Sequence, residues 1–68
     1  MTKKEMVLEI IKETEMKLSC QTNKERFDKR VDEIVKRKSK EQLSMFLDYL
    51  SKHNQECDKK FVSQLLLS

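Results

Sequence analysis

Ser39-Lys40-Glu41-Gln42, running directly into Leu43-Ser44-Met45-Phe46-Leu47-Asp48-Tyr49-Leu50, is the stretch that decides the fold. A hydroxyl three residues ahead of a Gln or Glu forms a capping box. The hydroxyl accepts the backbone N–H three residues on, and the amide or carboxylate reaches back to the N–H of the cap. Behind it, Leu43, Phe46, Leu47 and Leu50 follow at three- and four-residue steps, the spacing of one helix face. The signature recurs upstream at Thr2-Lys3-Lys4-Glu5 and Thr22-Asn23-Lys24-Glu25, each time before another apolar stripe. Repetition of the box in the right places sets the starts of successive helices.

The first helix is predicted from about Lys3 to about Ser19, burying Met6, Val7, Ile10, Ile11, Thr14 and Leu18, with Leu8 and Met16 off the stripe. The second, about Asn23 to Lys38, carries a narrow stripe of Phe27, Val31, Ile34 and Val35. It ends in Lys36, Arg37 and Lys38, cations that suit the negative end of a helix. The third starts at Lys40. Beyond Leu50 two readings remain open. Ser51-Lys52-His53-Asn54 is polar enough for a turn, with Asn54 capping a last helix and Glu56 and Asp58 in its first turn. An unbroken helix would instead keep Asn54, Cys57, Phe61 and Leu65 on the face of Leu50. The polar run favours the break.

The composition agrees with an all-α chain, because there is no glycine and no proline. Glycine supplies the positive φ of hairpin turns, bulges and phosphate-cradling loops. A sheet is hard to build without it, whereas helices joined by short polar turns remain easy. The expected fold is a small bundle of three helices, with the C-terminal part a fourth helix or an extension of the third, in a single domain over 1–68. A chain of 68 residues buries only about 60% of its unfolded surface, so its core is small. Hydrophobic residues make up 37% and charged residues 40%, which fits thin amphipathic helices or a core completed by a second chain. Glu13–Lys17 and Asp32–Lys36 stand at the i,i+4 spacing that supports a helix.

Met6, Val7, Leu8, Ile10 and Ile11 are interrupted by Glu9, so they do not form a signal-peptide core. No apolar run approaches the ~18–20 residues of a membrane span. The expectation is a reduced, cytoplasmic protein with no membrane association. Lysine far outnumbers arginine, the bias of an AT-rich coding genome such as that of a low-GC bacterium or its mobile elements.

Catalysis finds few parts here. Nucleophilic chemistry needs a positioned nucleophile, a base and an oxyanion hole. The only histidine, His53, falls at a turn, and no Gly-rich phosphate loop is possible. The carboxylates stand among lysines on solvated faces. A non-enzymatic protein without cofactor or small-molecule substrate is expected. His53 and Cys57 stand at i,i+4, with Cys20 as a distant third ligand, but structural zinc wants four ligands with paired short spacings. No metal site is expected: both cysteines read as small buried apolar residues and His53 as an exposed turn residue.

Two contact surfaces remain. Met45, Tyr49 and Leu67 lie off the main stripe, and a helix apolar on two sides packs on two sides. Met repacks easily and Tyr is amphipathic, both favoured at interfaces. The leading expectation is a protein-interaction module, a regulator, inhibitor or adaptor of a larger protein or a homodimer, binding through Met45, Tyr49, Leu66 and Leu67. The alternative is a small DNA-binding regulator. The pI is ≈ 9.0, charges balance from Met1 to Val35, and the whole net charge of +3 falls from Lys36 to Ser68. Its phosphate contacts would be Lys36, Arg37, Lys38 and Lys40, opposed by the carboxylates of Glu41 and Asp48 on the exposed face of the third helix.

Overall fold

The computed structural model describes residues 2–16 and 22–68. Within them the chain is all-α: α1 spans Lys3–Thr14, α2 Lys24–Arg37, α3 Lys40–Lys52 and α4 Glu56–Leu67. The C-terminal part is a fourth helix, so the polar run does break the chain. Leu18, Lys17 and Cys20 lie outside the described residues.

Two of the capping boxes form as read. Glu5 N–H donates to Thr2 Oγ1 at 3.2 Å while Thr2 N–H reaches Glu5 Oε1 at 3.5 Å. Gln42 N–H donates to Ser39 Oγ at 3.2 Å and Ser39 N–H to Gln42 Oε1 at 3.0 Å. The middle one is corrected by a residue. Asn23, not Thr22, caps α2, its Oδ1 accepting from Glu25 and Arg26 at 3.1 and 3.3 Å. Asn is at least as good a cap as Thr, and here one oxygen serves two N–H donors. The last cap is also displaced. Gln55 rather than Asn54 precedes α4 and makes no side-chain cap bond. The carboxylates of Glu56 and Asp58 in the first turn supply the negative charge that the helix start favours.

α1 is shorter than predicted, ending at Thr14 instead of about Ser19. Glu15 adopts the left-handed conformation, φ 53° and ψ 25°, and its N–H bonds Lys12 O at 3.2 Å. Thr14 Oγ1 closes the same turn, lying 2.8 Å from Ile10 O and 3.2 Å from Ile11 O. Left-handed backbone costs a non-glycine residue roughly 1–2 kcal/mol. Glu15 is tied on the other side, its Oε2 accepting from Lys59 Nζ of α4 at 3.2 Å. Met16, expected off the stripe, packs against the core because the chain has already left the helix axis.

α1 is the hub. It packs against α2, α3 and α4, and α3 also packs against α4; α2 and α3 have no comparable contact with each other. The core is Met6, Val7, Ile10 and Ile11 of α1, Val31 and Ile34 of α2, Leu43 and Leu50 of α3, and Val62 and Leu66 of α4, with Thr14 beside them. Phe27, Val35, Phe46, Leu47, Tyr49 and Leu67 cover its edges. Of the ion pairs expected within helices, Asp32–Lys36 does not form. Those among the described residues are Arg30–Glu33, Asp48–Lys52 and Glu15–Lys59. No helix among them is long and apolar enough to cross a membrane.

Candidate interaction groove between α3 and α4

α3 and α4 each carry two apolar stripes, and only one stripe of each is used by the core. On α4, Val62 and Leu66 face α1, while Phe61 and Leu65, each one position earlier, are turned away and remain 50% and 36% exposed. On α3, Leu43 and Leu50 face inward, whereas Met45 stands out with 69% of its surface in solvent. Helices apolar on two sides and covered on one leave a greasy channel between them. That channel is a groove of ≈ 780 Å³, bordered by Met45, Phe46 and Tyr49 from α3 and by Phe61, Val62 and Leu65 from α4. Lys38, Asp48 and Lys52 stand at its rim.

Tyr49 organises the groove. Its hydroxyl donates to Asp58 Oδ1 at 3.0 Å, bridging α3 to the first turn of α4. Its ring lies 6.1 Å from that of Phe61 and 4.7 Å from that of His53. The Asp58 bond raises the phenol above its ordinary value of 10.0, and burial and the charges of Asp58 and Cys57 push the same way. The ring is therefore a neutral, tethered wall of the groove. Rim charges are partly paired, Lys52 Nζ with Asp48 Oδ2 at 3.4 Å. Lys38 Nζ reaches the carbonyl of Ser68 at 3.1 Å.

Of the side chains expected at a protein contact, Met45 and Tyr49 meet in this groove. Leu66 does not: it is 1% exposed and belongs to the core, so the expectation for it is corrected. Leu67 is half-buried against the core edge. Because α4 is rotated to seat Val62 and Leu66 on α1, its exposed apolar surface is that of Phe61 and Leu65. Their i,i+4 spacing beside a second i,i+4 pair was the available signal.

The basic cluster is divided. Lys36, Arg37 and Lys40 are exposed at the α2–α3 corner, whereas Lys38 is half-buried and turned to the C-terminus of α4. The helices on either side of that corner pack on α1 far more than on each other, unlike those of a helix-turn-helix reader. Cys57, expected to be buried, is an exposed free thiol in the first turn of α4, because the break turns that start away from the core. His53 is the exposed C-cap of α3, as the polar turn suggested. No group of three or more His, Cys, Asp or Glu able to hold a metal occurs among the described residues. A second hollow, ≈ 680 Å³, lies between the end of α1 and α4, bordered by Glu15, Met16, Glu56, Cys57, Lys59 and Lys60. Half of the residues on its border are charged. No family model, no curated protein and no solved structure matches the chain.

Proposed function

We propose that this chain is a small non-enzymatic protein-interaction module that works through the α3–α4 groove, as a regulator or adaptor of another protein or by self-association. One observation carries the reading. Met45, Phe61 and Leu65, three of the four large apolar side chains exposed among the described residues, all surround one groove. A chain with so little core gains by keeping such side chains covered, and contiguous apolar patches mark contact sites where scattered ones do not. The groove also has the make-up of an interface: an aromatic and methionine centre within a charged rim. Binding there would act by occluding the partner's surface or bridging two partners.

A photo-crosslinking residue at position 45 tests this in the host cell, with the same residue at Lys29, exposed on α2, as the control. Defined adducts from position 45 and none from position 29 are expected. Equal labelling from both positions refutes the proposal. The second reading, a small DNA-binding regulator, draws support from the exposed heads of Lys36, Arg37 and Lys40. It requires duplex affinity that falls steeply with salt and collapses when Lys36, Arg37, Lys38 and Lys40 are changed to Ala.

A further inference from the structure

Resting on the groove as a protein-binding surface, we infer that its occupant is a second copy of this chain, with α3 of one copy antiparallel to α3 of the other about a two-fold axis. A two-fold interface requires that each residue be complementary to the one it meets in both directions. The groove supplies both members of such a contact within one turn of α3. Met45 projects as a flexible knob, and the tethered ring of Tyr49 with the neighbouring ring of Phe61 forms an aromatic seat beside it. Thioether against aromatic ring is a favourable contact. Met45 against the partner's Tyr49, repeated by symmetry, fills two seats with two knobs.

Charge then decides direction. Glu41, Met45, Asp48 and Lys52 follow one another at helical spacing on the outward side of α3. Seating Met45 on the partner's Tyr49 puts the two-fold axis at the height of Leu47 but on the opposite, outward face of α3, about midway between Glu41 and Lys52. Glu41 then falls within about one residue rise, ~1.5 Å along the axis, of the partner's Lys52. Symmetry forms the pair twice. A parallel arrangement would instead set Glu41 against Glu41 and Lys52 against Lys52. Lys52 already holds Asp48, whereas Glu41 has no ionic partner among the described residues. The antiparallel copy gives it one and extends the Asp48–Lys52 pair across the interface.

The test is sedimentation equilibrium of the full chain over a wide concentration range, with helicity followed by circular dichroism. The wild type is expected to pass from monomer to dimer mass. Glu41→Lys and Lys52→Glu should each weaken the dimer by about tenfold, since each turns two surface ion pairs into repulsions. The double reversal should return the affinity to within about twofold of wild type, a recovery that a purely local role for either charge would not give. Met45→Lys should leave a monomer of unchanged helicity.

A wild type that stays monomeric at every concentration overturns the inference. In that event binding of the dye anilinonaphthalene sulfonate, lost in Met45→Lys, would leave the groove standing as a receptor for another protein. A dimer indifferent to Met45→Lys and to both charge reversals places the interface elsewhere, and sinks the inference and the groove reading together.

Discussion

Replacing Ile10 with Ala tests whether α1 is the hub of this fold. Ile10 is 0% exposed and sits on the helix that contacts all the others. The change deletes three carbons. At about 0.8 kcal/mol per buried methylene the lost transfer energy is about 2.4 kcal/mol. The cavity adds to this because the neighbours collapse only partly, which brings the total to about 3–4 kcal/mol. A core of this size rarely supplies more than about 5 kcal/mol, so most of the stability should go. The melting temperature should fall by roughly 12–30 °C, at about 4–8 °C for each kcal/mol in a domain of this length. Urea melts followed by circular dichroism read the effect against Leu8→Ala, on the same helix but 37% exposed, where about 1 kcal/mol or less is expected. Equal losses at the two positions would refute the hub, because they would mean that the buried face of α1 is not where the core sits.

Tyr49 is the only tyrosine and the chain has no tryptophan, so its phenolate absorbance reports one site. The titration midpoint should lie above 10.0, since the hydrogen bond to Asp58 favours the neutral phenol. The sign follows from a folded value raised above the unfolded one: the added stability is complete below pH 10 and disappears as the pH climbs through the folded value. A midpoint at or below 10.0 would contradict the Asp58 bond. Tyr49→Phe should remove that pH dependence and lower the urea midpoint at neutral pH through loss of the Asp58 bond. Ser39→Ala should cost about 1 kcal/mol through loss of the α3 cap, whereas Thr22→Ala should cost less than half of that, because Asn23 holds the α2 start.

The starts of α1 and α3 were legible to the residue because Thr2 and Ser39 stand alone as caps before a good N3 partner. At Thr22-Asn23 two competent caps are adjacent, and the choice between them depends on which oxygen reaches two N–H groups, which spacing does not encode. The end of α1 was hidden for a related reason. No glycine marks the left-handed residue, and Glu15 takes that backbone with Thr14 closing the turn and Lys59, far along the chain, holding its carboxylate. The break near His53 was readable from its polar run.

Which apolar side chains face solvent was legible on α3 and misread on α4. Met45 lies nearly opposite Leu43 and Leu50, so its exposure follows from the stripe alone. On α4, Phe61, Val62, Leu65 and Leu66 present two equivalent apolar pairs, and only packing on α1 determines which pair turns outward. That rotation is a tertiary fact. It turned Phe61 and Leu65, rather than Leu66, toward solvent, and it left Cys57 there as well.

The most direct measurement compares immobilised wild-type chain with the double variant Met45→Lys/Leu65→Lys, after confirming that the two melt within about 4 °C of each other. Wild type should retain a stoichiometric protein partner, whether a further copy of itself or another polypeptide, and the variant should retain none. Equal retention by both would show that the chain binds without its α3–α4 groove.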